Sequence, residues 1–321
     1  MKLFKKLFPS RKTKGNQFLV LEIGLGRVTA ASFNLVDSKP HLVSVGRKNF
    51  SAYENIFESV LEAIDALAAI AGDIPKKAII GVTDGILRTT TTIARVTRPN
   101  PQEAIDESEV ETVLEKVAAS IEAEPLKVFF STVASAKIDN ATLTNPIGLK
   151  GQKADFACFV ALKAPEELAL FDQMIDELDL KVSKILPSSF AVSRELLKQN
   201  LNDALVLRVG KEKSEAALLS EGHIFEILPF DLGTSGLAYL SIGIEAVISL
   251  LDKEKRPSSI WLYPDEDEID LDQVENELQN FPWKEKLFYE QEPEITKKEI
   301  IETIPASDTG VFSLAREYLE Y

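Results

Sequence analysis

The sequence predicts an α/β protein built from two related halves, with a small module set into the first. Three observations carry this reading. A pattern of strand, glycine turn, strand and strand opens the chain at residues 18–45 and partly recurs at residues 204–230. Between these stretches, β-branched apolar runs alternate with segments whose apolar residues recur at helical spacing. With 321 residues, 45% of them apolar, the chain can bury two or three cores more readily than one large one.

The elements follow in order. Residues 18–23 are an apolar strand running into Gly24 and Gly26, with hairpin partners at 28–35 and 41–45. Ile56, Phe57, Val60, Leu61, Ile64 and Leu67 fall on one face of a helix that ends at Gly72, and a strand follows at 78–82. Residues 86–97 read as a strand. A helix capped by Asp106 or Ser108 then turns Val110, Val113, Leu114, Val117 and Ile121 inward. Strands at 127–138 and 156–161 flank the turn-rich TNPIGLKG and complete a module over 85–163. A helix at 165–179, a strand at 181–186 and a helix at 188–199 lead into the second half. There the strand 204–209 turns at Gly210 into strands 214–219 and 222–230, followed by one helix at 237–251. The strand in SSIWLYPDEDEIDLDQ ends in Asp265–Glu268, which read as a solvated acidic turn capping the next helix. Phe281, Trp283, Phe288 and Tyr289 read as core residues of the last strand and helix contact.

Charge excludes several functions. The chain has 36 basic and 51 acidic residues, and a net charge of −15 repels nucleic acid. One cysteine, Cys158, and two histidines, His41 and His223, cannot make a zinc site, a disulfide framework or a Cys/His nucleophile pair. Cys158 reads as a small buried hydrophobe, in keeping with a cytoplasmic setting. The exception to the acidity is residues 1–14, MKLFKKLFPSRKTK, with six cations and no acid, which leaves the rest of the chain at −21. On a helix, Leu3, Phe4, Leu7 and Phe8 share one face, while Lys2, Lys5 and Lys6 share the other. Each apolar side chain contributes at most about 1.5–3 kcal/mol when fully buried, and each cation about 1 kcal/mol near anionic lipid. That suits reversible attachment to an anionic membrane surface.

Several phrases resemble the actin-like ATPase superfamily, and within it the FtsA family of cell-division proteins. FLVLEIGLGRVTAASF is similar to the first phosphate hairpin, and DALVLRVGKEKSEAALLSEGHIFEILPFDLG to the second hairpin and the strand after it. ARVTRP, ESEVETVLEKVAASI and TLTNPIGLKGQKADFACFVALKAPEEL resemble, in order and spacing, the SHS2-type subdomain of that family, and PASDTGVFSLAREYLEY its closing helix. The PilM family of pilus-assembly proteins has the same plan, and its basic-apolar N-terminus is similar to residues 1–14. The resemblance implies a duplicated actin-like (ribonuclease H-like) fold with an inserted SHS2-type subdomain. Residues 17–84 and 164–200 would form subdomain 1A, 85–163 subdomain 1C and 201–321 subdomain 2A, after a basic amphipathic segment at 1–16. The second half would be truncated, because residues 236–257 hold one helix where the family inserts subdomain 2B.

By the same resemblance, two hairpins grip phosphates through backbone N–H groups, and an acid on each strand orients magnesium and water. The matching residues are Glu22, Gly24, Gly26 and Arg27 in the first hairpin and Gly210 and Lys211 in the second. Both hairpins depart from the pattern. Leu25 and Arg27 are bulky, Arg208 stands at an aspartate position, and Tyr263, Pro264 and Asp265–Glu268 stand where glycines pack adenosine. The expectation is a vestigial site with no catalytic residue, no metal and no cofactor, ATP and magnesium entering only if the reduced site still works. The function expected is a membrane-associated scaffold, cytoplasmic and peripheral on the inner face of the cell membrane. Its expected partners are division-ring or pilus-assembly proteins, or further copies of itself. The alternatives are an active FtsA-like ATPase and a PilM-like platform for pilus or secretion assembly.

The membrane expectation has a direct measurement. Deleting residues 1–12 is expected to abolish co-sedimentation with anionic vesicles; unchanged binding rejects the tether.

Overall fold

The computed structural model describes residues 16–50, 56–83, 88–121, 125–139, 141–143, 145–252, 256–297 and 304–320. The tether residues Leu3, Phe4, Lys5, Lys6, Leu7 and Phe8 lie outside them.

Two five-stranded sheets carry the two halves. In the first, β1 (Gln17–Ile23), β2 (Arg27–Val36) and β3 (Lys39–Asn49) run antiparallel, while β4 (Lys77–Val82) and β9 (Lys181–Pro187) extend the sheet in parallel on the other side of β1. The second sheet repeats this layout strand for strand. Its antiparallel side is β10 (Ala204–Val209), β11 (Ser214–Ser220) and β12 (His223–Phe230), and its parallel side β13 (Ser259–Pro264) and β14 (Glu294–Thr296). The duplication read from the sequence is therefore a repeat of topology. Helix α1 (Ile56–Ala71) joins β3 to β4, as α5 (Leu237–Ile248) joins β12 to β13. Where the sequence pattern runs that second helix to residue 251, its last turn relaxes after Ile248.

The inserted module is a four-stranded sheet in the order β5-β8-β6-β7. Its elements are β5 (Arg88–Thr97), α2 (Glu107–Ile121), β6 (Lys127–Ile138), β7 (Ala141–Leu143) and β8 (Lys153–Lys163). Asp106 caps α2, accepting a 2.8 Å hydrogen bond from the Glu109 N–H. The apolar face of α2 buries Val113 and Val117 against Phe156, Cys158 and Val160. Cys158 is the small buried hydrophobe expected, and burial pushes its thiol up to about 11. Edge strand β5 is stitched to the second half. Thr89 Oγ1 accepts from the Ile227 N–H at 2.7 Å and donates to the Ile227 carbonyl at 3.0 Å, and Thr91 Oγ1 donates to the Ile224 carbonyl at 2.5 Å.

Helix α3 (Pro165–Glu177) and α1 cover one face of the first sheet, where Phe171 and Met174 pack against Leu19, Leu21 and Ile80. Helices α5, α6 (Leu271–Gln279) and α7 (Trp283–Leu287) cover the matching face of the second. Trp283 fills that core and Phe281 and Tyr289 pack against it, as read from the sequence. Phe288 departs from the reading. It ends α7 with φ +53 and is 62% exposed, because the left-handed C-cap swings its side chain outward. The inner faces share one central core through which α4 (Ser188–Lys198) and α8 (Thr309–Glu317) cross. The two helices are also tied by charge: Arg194 Nη1 donates to both oxygens of Glu317 at 2.8 Å, and Arg316 pairs with Glu195.

Close packing of β3 on a helix backbone excludes a side chain at Gly46. A Cβ on Gly46 of β3 would lie 2.1 Å from the Ala63 carbonyl oxygen and 2.4 Å from the Leu67 nitrogen, both backbone atoms of α1. Gly46→Ala is expected to destabilise by roughly 1–3 kcal/mol. In urea unfolding its midpoint should fall well below that of Gly236→Ala, a position where the nearest neighbour is 3.9 Å away.

Candidate functional site

The carboxyl ends of the central strands of both sheets meet across the pseudo-two-fold axis relating the halves. Register makes the equivalences explicit. Ile23 is paired with Val82 as Val209 is with Pro264, so Glu22 corresponds to Arg208, and the next residues along, Thr83 and Asp265, correspond to each other. The N–H of Thr83 donates to the Ile23 carbonyl at 2.8 Å, and that of Asp265 to the Val209 carbonyl at 2.7 Å. All four side chains converge. Arg208 Nη1 donates to Glu22 Oε1 at 2.8 Å and to Thr83 Oγ1 at 2.7 Å, while Nε donates to Asp265 Oδ1 at 2.7 Å, with Nη2 2.6 Å from the same oxygen. Each of the four is at most 2% exposed. Burial opposes the guanidinium's charge, but Glu22 and then Asp265 outweigh it, and the Arg208 pKa stands above its ordinary value.

Asp265 corrects the sequence reading. The acidic turn is not solvated at this residue, and Asp270, not Asp265–Glu268, caps α6 by accepting from the Asp272 and Gln273 N–H groups. The Asp265 carboxylate instead reaches the tip of the first hairpin. Its Oδ1 accepts from the Leu25 N–H at 3.1 Å and its Oδ2 from the Gly26 N–H at 3.0 Å. Two successive turn amides aimed at one anion form a nest. Gly24 and Gly26 give the required closeness: a Cβ on Gly24 would lie 2.6 Å from Asp265 Oδ1 and 2.9 Å from Arg208 Nη2, and one on Gly26 2.8 Å from Glu266 Oε1.

Glu22, Gly24 and Gly26 thus come together with Arg208 and Asp265. Arg27, although 4% exposed, is held elsewhere: Nη2 donates to the Ser307 carbonyl at 2.9 Å, and Asp267 and Asp308 lie 3.7 and 3.9 Å from its nitrogens. Gly210 closes the second turn by donating to the Lys213 carbonyl at 3.0 Å, and the first hairpin's Leu25 abuts it. The carbonyls of Gly210 and Lys211 accept from the N–H groups of Thr234 and Ser235, and the Lys211 side chain is exposed. Behind Arg208, Ser189 bridges the buried Glu215 carboxylate and the Tyr263 hydroxyl.

Thr83 and Gly310 escaped the sequence reading. Gly310, in the first turn of α8, passes so close that a Cβ would lie 1.9 Å from Glu22 Oε1. Superposing the two repeats beyond their hairpins, so that the end of KAIIGVT meets the end of SIWLYPD, was the signal that would have paired Thr83 with Asp265. A separate groove of about 670 Å³ runs along the module between α2 and the outer half of β5, with Ala94, Val96, Val113 and Val117 among its lining and Arg95 and Lys116 beside them. Among the described residues no cluster of His, Cys, Asp and Glu is arranged to hold a metal ion, and no helix is long and apolar enough to cross a membrane.

The chain matches no known protein-family description and no curated protein sequence. Solved structures are more informative. The PilM–PilN type IV pilus biogenesis complex contains a chain that superposes with a TM-score of 0.61 at 13% identity, covering 94% of this chain and 98% of that one. The fold is the actin-like ATPase fold. A Bacteroides thetaiotaomicron protein described as having that fold and unknown function superposes with a TM-score of 0.50 at 10% identity, over 94% of this chain and 95% of that one. At such identities the likeness is one of fold.

Two outcomes follow from the cluster. Arg208→Met leaves Glu22 and Asp265 buried without their cation and is expected to cost about 3–5 kcal/mol. Adding Glu22→Gln and Asp265→Asn should recover part of that loss, so the three changes combine to less than their sum in denaturant unfolding. At the rim, half-burial and then the charge of Asp265 raise the Glu266 pKa. The folded chain therefore keeps this proton to a higher pH than the unfolded chain, and stability falls as pH rises through the raised value. Glu266→Gln should match the parent in thermal unfolding below about pH 4 and exceed it at about pH 7.

Proposed function

We propose that the chain is an adaptor that works without nucleotide, attached peripherally to the cytoplasmic face of a membrane and serving as an assembly platform like PilM. The observation that carries this reading is the Asp265 carboxylate on the Leu25 and Gly26 amides, with Arg208 tying it to Glu22. A magnesium nucleotide does not fit these residues. Its phosphate would need the two amides already bonded and would add charge beside Glu22, Asp265 and Glu266. One like-charge pair 4 Å apart costs about 4 kcal/mol at an effective dielectric constant near 20. Arg208, where the superfamily carries a metal-orienting acid, repels the cation as well. Only residues 249–258 separate α5 from β13, too few to form there the lobe that the superfamily inserts beside its ligand.

A body of this kind serves by holding others. The module over 85–163, read as SHS2-type, supplies the surface, and the groove between α2 and β5 is where an extended segment of a membrane component would lie. The superposition on PilM favours pilus or secretion machinery over the division ring as the setting.

Calorimetry with magnesium-ATP is expected to give no binding heat, and phosphate-release assays no turnover; clear micromolar affinity overturns the reading. Pull-down from membranes is expected to recover inner-membrane pilus or secretion components, whereas recovery of a division-ring filament protein moves the assignment to the FtsA family.

A further inference from the structure

We infer that Asp265 is a tethered oxyanion: its carboxylate occupies the first hairpin as a phosphate group would, so the joint between the halves carries its own permanent ligand. The inference rests on the nucleotide-free reading above and states what replaced the nucleotide.

Three features support it independently. First, the carboxylate is bound as an anion in a built site. Its two oxygens take two successive turn amides, and Oδ1 also lies within 2.7 Å of both Nε and Nη2 of a fully buried arginine. An ordinary surface acid at a strand end makes no such set, and Asp265 is 0% exposed. Second, the hairpin has glycine at positions 24 and 26 beside the bulky Leu25 and Arg27. The atoms that crowd a side chain at Gly24 are Asp265 Oδ1, Arg208 Nη2 and the hairpin's own Arg27 carbonyl oxygen, so the internal anion and its cation share in the constraint. Third, the ligand comes from the other half. The hairpin lies between β1 and β2, the carboxylate follows β13, and Arg208 sits on β10 yet also bonds Glu22 and Thr83 of the first sheet. A free phosphate would bridge the halves only while bound, whereas a tethered one bridges them always.

Removing the tether should therefore expose an oxyanion site that the parent chain lacks. Asp265→Ala leaves the two amides and one side of Arg208 unpaired, and inorganic phosphate or sulfate can supply what is missing. The test is thermal unfolding of the full chain, the parent against Asp265→Ala, in inorganic phosphate and in chloride of equal ionic strength. The parent is expected to unfold at the same temperature in both. Asp265→Ala is expected to unfold several degrees lower in chloride and to recover saturably with phosphate, an effect lost when Arg208→Met is added. No recovery in Asp265→Ala, or equal phosphate shifts in parent and variant, overturns the inference.

If Asp265→Ala does not fold in chloride, a second measurement carries the test: far-ultraviolet circular dichroism of that variant is expected to regain the parent's signal as inorganic phosphate is added, and no regain at any phosphate concentration rejects the tethered anion. Magnesium-ATP binding by the parent would instead defeat the functional reading, so the two failures are distinguishable.

Discussion

The structure turns on one ion pair across its pseudo-two-fold axis. Duplication of a half brings equivalent positions face to face, and whatever occupies them meets its counterpart. Like charges there require a cation between them. Here the counterparts are Glu22 and Arg208, which attract each other directly. Buried far from water, each is tolerable only because the other is present. Thr83 and Asp265, the second pair of equivalents, complete the coordination of the same guanidinium. One arginine thus touches both sheets and supplies the positive charge at the centre of the joint.

Around that centre the halves are locked by more than charge. Helices α4 and α8 cross through a core to which both sheets contribute, and Arg194–Glu317 and Arg316–Glu195 tie the two helices together. The module is held from outside by the threonine stitches of β5 to β12. Such a body is suited to presenting surfaces in fixed relation. Its open groove lies on the module, and the space between the halves at the hairpin tip is filled by the Asp265 carboxylate.

Much of this was legible in the sequence. Continuous apolar runs reaching a glycine turn marked β1 and β10, and the return strands β2 and β11, nearly to the residue, since a buried strand and its turn are written locally. Helix α2 was equally plain from its cap and its apolar spacing. The charged replacements at the second hairpin, Arg208 above all, were visible too. Asp265 was misread because four consecutive acids look solvated in one dimension; that the first of them turns inward depends on a cation 57 residues earlier in the chain. Phe288 was misread for a related reason, its outward direction being set by a left-handed cap rather than by its own apolarity.

By itself, the sequence determined the strands, the helices, the duplication and the bulky, charged side chains of the two hairpins, all of which follow from local spacing and side-chain type. Tertiary structure alone decided which charge meets which. The partners of Arg208 come from three separate strand ends, Glu22, Thr83 and Asp265, and only the stacking of two sheets about a common axis places them within hydrogen-bonding distance. Electrostatic energy depends on separation in space and on exclusion of water, neither of which is a property of position along the chain.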